Sequence, residues 1–72
     1  MRTPEGEIVI IGQQWRSLDP RRPRNCTIIG LDEKRKRVRF WREINGGYPW
    51  RYRTSWVSVR CMKHSHTGWE KL

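Results

Sequence analysis

Nowhere in this chain do apolar residues recur at i, i+3, i+4 and i+7, and Pro4, Pro20, Pro23 and Pro49, together with six glycines, interrupt it at short intervals. Proline removes a backbone donor and fixes φ, while glycine weakens the interior of any regular element, so a long helix has no uninterrupted stretch in which to form. What remains is a series of short extended segments with a two-residue period. That pattern predicts an all-β domain.

Residues 8–11 open a first strand, Gly12 bends it, and Gln13 to Arg16 continue it. Asp19-Pro20 and Arg22-Pro23 make residues 17–25 a loop, since both dipeptides favour turns and extended backbone. The β-branched run from Cys26 to Leu31 is a second strand, residues 32–36 a charged hairpin tip, and residues 37–44 a third strand. In that third strand Val38 and Phe40 point one way and Arg37, Arg39 and Trp41 the other. Asn45-Gly46-Gly47 is a tight hairpin turn, because Asn-Gly readily adopts positive φ. In the fourth strand Trp50, Tyr52 and Thr54 oppose Arg51, Arg53 and Ser55. The apolar set then becomes Val57, Val59 and Cys61, a change of parity that predicts a bulge near residues 54–56 and a short fifth strand beyond it.

Seventy-two residues make one small domain, near the size at which a single core barely suffices, and five Trp, two Tyr and one Phe supply large side chains to fill it. Phe40, Ile28, Trp15 and Trp56 are the expected core. Residues 1–7 are read as an N-terminal arm, 8–62 as the domain and 63–72 as a flexible tail without periodicity. Five short strands that must hide their edges describe a small five-stranded SH3-like barrel or a strongly bent antiparallel sheet.

The pattern Gly12-x-x-Trp15-Arg16-x-x-Asp19 with a basic loop, then Thr27-Ile28-x-x-Leu31, then a hairpin and Val57-x-Val59-x-x-Met62, resembles small basic proteins of actinobacteria and their phages. The resemblance spans roughly residues 10–62 and departs at Gly46-Gly47-Tyr48-Pro49-Trp50. It implies a compact SH3-like barrel and carries no activity with it.

Sixteen Lys and Arg against seven Asp and Glu give a formal charge of +9, enough to attract polyanions at low salt. The arginines are interleaved with aromatic residues, and planar guanidinium forks suit phosphate while indole faces suit bases. The sequence therefore points to nucleic acid, DNA or RNA, bound by backbone, shape or single strand, with Arg21, Arg22, Arg24, Arg39, Trp41, Trp50, Arg51 and Arg53 as contacts. Two blander assignments stand beside it: a solvated basic loop, and arginines that simply cover indoles. The alternative function is a protein-interaction module whose aromatic groove, between the long loop and the Asn45 turn, takes an acidic or proline-rich segment. A phage-encoded module would act on a host protein.

Catalysis is not expected. There is no glycine-rich phosphate loop, nucleophile elbow or HExxH, and Cys61 with His64 has no evident third group to orient it. No membrane segment is expected from an apolar run of four residues, which points to a cytoplasmic location. Cys26 and Cys61 read as buried free thiols. Cys61-x-x-His64-x-His66 does not match zinc-finger spacing, so no metal or other cofactor is expected. Chelator should accordingly leave the melting temperature unchanged, and stoichiometric zinc lost together with the fold would show the opposite.

Overall fold

The computed structural model describes residues 1–21, 24–43 and 52–72. Among them are β1 (Gln14–Ser17), β2 (Arg24–Asp32), β3 (Arg37–Glu43), β4 (Tyr52–Ser58), a 3-10 turn (Val59–Cys61) and β5 (Trp69–Lys71). All neighbours pair antiparallel in one five-stranded sheet of order β4-β3-β2-β1-β5. The all-β, five-stranded fold class is thus the observed one. No helix among the described residues is long and apolar enough to cross a membrane.

One contact shows how far the sheet bends. β3 and β5 are separated by β2 and β1, which in a flat sheet places them about 14 Å apart. Yet Phe40 of β3 and Trp69 of β5 stack with ring centroids 4.3 Å apart and planes 4° from parallel. The sheet therefore curls until its inner face closes on itself. Inside lie Trp15, Cys26, Ile28, Val38 and Phe40, joined by Val9, Val59 and Met62, with Met1, Leu31, Val57 and Trp69 packed against them. The buried Trp15 indole N–H donates to Gln13 Oε1 at 3.2 Å, which satisfies a donor that burial would otherwise strand.

The alternation expected of the third strand holds, with Val38 and Phe40 buried and Arg39 exposed. The irregularity in the sheet lies elsewhere than expected. β3 and β4 pair without interruption from Glu43↔Tyr52 to Arg37↔Ser58, so no bulge occurs at residues 54–56. Ser55 and Val57 share the inner face and Trp56 points outward, 44 % exposed instead of filling the core. The register shift falls in β2, between Ile28↔Phe40 and Gly30↔Arg39. Ile29 is the additional residue, and it moves the inward set from Cys26 and Ile28 to Leu31.

Three further expectations are corrected. Residues 8–11 do not form a strand; Ile8 makes an isolated bridge with Arg2, while Val9 enters the core and Val9 N–H donates to Met1 C=O at 3.0 Å. The first nine residues are consequently a tight turn folded onto the domain. The apolar set after Trp56 becomes a 3-10 turn capped by the Ser58 side chain, and its Cys61 is exposed. The fifth strand forms instead from residues 69–71, within the segment expected to be a flexible tail. It pairs with β1 through Ser17↔Trp69, Arg16↔Glu70 and Trp15↔Lys71, and Met62 before it is fully buried. Glu5 Oε1 accepts from the His64 backbone N–H at 2.9 Å, so the N-terminal turn and the C-terminal segment also hold each other. The expected Asn45-Gly46-Gly47 turn lies outside the described residues.

Gly68 makes this return possible, because a Cβ there would collide with the Lys63 carbonyl oxygen and the Ser65 hydroxyl. Trp69→Ala should cost about 3 kcal/mol as a large-to-small change in a packed site. Gly68→Ala should cost about 1–3 kcal/mol by forcing β5 away. Urea unfolding of both variants checks this, since a loosely held tail would leave both midpoints at the wild-type value.

Candidate nucleic-acid interface

The outer face of β2, β3 and β4 carries a cluster of cations around one indole. Strand alternation sends Arg37 and Arg39 outward from β3, and the register places Trp56 of β4 directly across from Arg39. The Cζ atoms of Arg37 and Arg39 lie 4.9 and 5.9 Å from the centroid of the Trp56 ring, both within cation–π reach. The indole reaches over β3 as far as Gly30 of β2, where a Cβ would stand 4.0 Å from its Cη2. Arg39 Nη2 also donates to Thr54 Oγ1 at 3.2 Å. Arg37 Nη2 pairs with Asp32 Oδ2 at 3.3 Å. Each guanidinium is thus positioned by a ring and by one polar partner; Arg37 Nε is buried, while Arg39 is the exposed member of the pair.

The hairpin tip continues this surface. Lys34, Arg35 and Lys36 are exposed between β2 and β3, and Asp32 Oδ1 closes the turn by accepting from the Arg35 backbone N–H at 3.1 Å. The backbone N–H of Arg35 and the side chain of Arg37 hold the Asp32 carboxyl below its ordinary value, against a smaller opposing effect of desolvation. Asp19 is likewise lowered, chiefly by the Arg21 backbone N–H.

The residues expected as contacts do not form one surface. Arg39 belongs to the outer cluster. Trp41 lies on the same strand face but is half-buried, which leaves less of its ring for stacking. Arg21 is exposed on the turn after β1 and paired with Asp19 at 3.5 Å. Arg24, the first residue of β2, is half-buried and lines a cleft on the opposite, inner side of the sheet. Arg53 pairs across the sheet with Arg42 and shares the parity of Ser55, which lines that same cleft. Arg22, Trp50 and Arg51 lie outside the described residues.

Sequence reasoning did not single out Trp56 and Arg37, which the structure brings together on the outer face. The signal was present: with Val57 inward, alternation alone turns Trp56 outward. The size of an indole favoured burial and concealed it. Among the described residues no group of three or more His, Cys, Asp and Glu is placed to hold a metal ion. Cys26 and Cys61 are both free, the first buried and the second exposed. Comparison with known protein families, curated proteins and solved structures finds no match to this chain.

The lowered carboxyls give a pH dependence of definite sign. A carboxyl whose pKa is depressed on folding stabilises the native state above its ordinary value of 3.8, and that contribution disappears as pH falls through the lower, folded value. Urea midpoints should therefore stay level from neutral pH to about pH 5 and fall below about pH 4. Asp32→Asn should flatten part of that fall, and an identical profile for the variant would show that Asp32 has no share in it.

Proposed function

We propose that this chain binds nucleic acid through the outer face of β3 and β4, recognising phosphate backbone and shape or a single strand without reading a defined base sequence. The observation that carries this is the pair Arg37 and Arg39 gathered on the exposed Trp56. A guanidinium that rests against an indole keeps its in-plane N–H donors for phosphate oxygens, and it loses less rotamer freedom on binding than a free arginine. Trp56 takes the role first given to Trp41 and Trp50, acting as the platform for the arginines and as the ring on which a base can stack. The +9 charge supplies the long-range attraction, and the hairpin tip extends the contact along a strand.

A second reading, a module for an acidic or proline-rich protein segment, is favoured by the exposure of Ile8, Ile10 and Ile11 beside the N-terminal turn. Membership among the small basic barrels of actinobacteria and phages would make that segment part of a host protein. Salt separates the two, because phosphate contacts release counterions and apolar contacts do not.

Fluorescence anisotropy with a short single-stranded oligonucleotide should show affinity falling on the order of tenfold to a hundredfold between about 50 and 200 mM salt. Arg39→Ala should reduce the log–log salt slope by about one, and Trp56→Ala should weaken single-strand binding by about 1–3 kcal/mol. Absence of binding to single- or double-stranded DNA or RNA at low salt would eliminate the proposal and leave the interaction module.

A further inference from the structure

Opposite the Trp56 surface, the curled sheet leaves its inner face open at one end. Here the edge strands β4 and β5 face one another, and between them is a cleft of about 160 Å³ lined by Ser17, Asp19, Arg24, Cys26, Arg42, Ser55 and Trp69. The alternation that builds the core also builds this opening. Along β2 the inward set runs Ile28, Cys26, Arg24, along β3 it runs Val38, Phe40, Arg42, and along β4 it runs Val57, Ser55. The change from apolar to polar is staggered across the strands: Ser55 pairs with Phe40 itself, Arg42 lies two residues beyond Phe40, and Arg24 lies four residues before Phe40's partner Ile28. Two guanidinium groups and two hydroxyls converge there over an aromatic and thiol floor.

Arg42 Nε is buried and has no hydrogen-bond partner among the described residues, and Arg42 makes no ion pair there. Asp19 is the one carboxylate in the lining among the described residues, and it is engaged by Arg21, whose backbone N–H donates at 3.0 Å and whose Nε lies 3.5 Å away. Arg42 Nε is closed off from the cleft, so an anion there would be met by the Nη groups at the end of the side chain, whose charge has no ion-pair partner among the described residues. Both arginines also act on the Cys26 thiol: burial pushes it up, and the charges of Arg42 and Arg24 pull the other way. A site of this volume is smaller than those that enclose a whole nucleotide or drug-sized ligand, and it suits a single compact anion.

We propose that this cleft binds a phosphate group, with the guanidinium groups of Arg42 and Arg24 and the hydroxyls of Ser17 and Ser55 donating to its oxygens. Such a group could be carried by the end of a nucleic-acid strand or by a small phosphorylated molecule, and the shared chemistry is a dianionic tetrahedral phosphate with little attached bulk inside the cleft. The site is independent of the outer-face reading, because it uses none of Arg37, Arg39 or Trp56.

The test uses the full chain carrying Cys61→Ser, so that Cys26 is the only thiol, and follows its alkylation by a small reagent. Inorganic phosphate at constant ionic strength should slow that reaction several-fold in a saturable manner, while chloride should not. Arg42→Gln should raise the phosphate concentration needed by at least tenfold, whereas Trp56→Ala should leave it unchanged. Should Arg42→Gln fail to fold, Ser55→Asp, on the exposed edge strand, places a carboxylate at the cleft and should abolish the protection equally. A 5′-phosphorylated oligonucleotide protecting better than both its 5′-hydroxyl form and free phosphate would assign the strand end as ligand. Equal protection by free phosphate would assign a small molecule. Protection by phosphate no greater than by chloride, or protection that survives both Arg42→Gln and Ser55→Asp, would overturn the site, and neither result would touch oligonucleotide binding at Trp56.

Discussion

The stack of Phe40 on Trp69 is the contact on which the rest of this small domain depends. A five-stranded antiparallel sheet with one apolar face has nothing to pack that face against unless the sheet bends onto itself. With no α-helix among the described residues to cover it, curling is the available solution. By bringing strands from opposite ends of the chain's middle and terminus into van der Waals contact, the stack converts an open sheet into a closed core around Trp15, Ile28, Val38 and Met62. Trp69 also lines the arginine-bearing cleft, so the stack lies where core and cleft meet.

Curling separates the arginines into two populations with different surroundings. On the convex side Arg37 and Arg39 rest against an exposed indole, Arg39 exposed to water and Arg37 half-buried and paired with Asp32. On the concave side Arg24 and Arg42 are half-buried and line a cleft beside a thiol and an aromatic ring, where their charges act on the Cys26 thiol. The same residue type therefore supports two kinds of recognition. One is an extended, salt-sensitive surface, and the other is a compact pocket for a single anion.

The β2–β3 hairpin was legible because its determinants are local. Val38 and Phe40 alternate with Arg37, Arg39 and Trp41, and alternation along a strand is a property of backbone geometry that needs no partner. Trp56 was misplaced because side-chain size was weighed above parity: Val57 inward already required Trp56 outward. The bulge at Ile29 could not be located, because in a run as apolar as Thr27-Ile28-Ile29 either face is an acceptable core face until β3 selects one.

The sequence by itself determined the all-β class, the face of β3 that enters the core, the charged hairpin tip and the excess of arginine, because each follows from residue type and from spacing within a few positions. The tertiary structure alone decided that residues 69–71 are a strand, that Trp69 closes the core and that Arg24, Arg42 and Ser55 meet at one cleft. Those outcomes join positions dozens of residues apart. A three-residue strand has too short a period to detect, and its stability comes from β1 and Phe40 rather than from its own propensity. Which arginines share a site depends in the same way on how far the sheet curls, a property of the closed core and of no single segment in it.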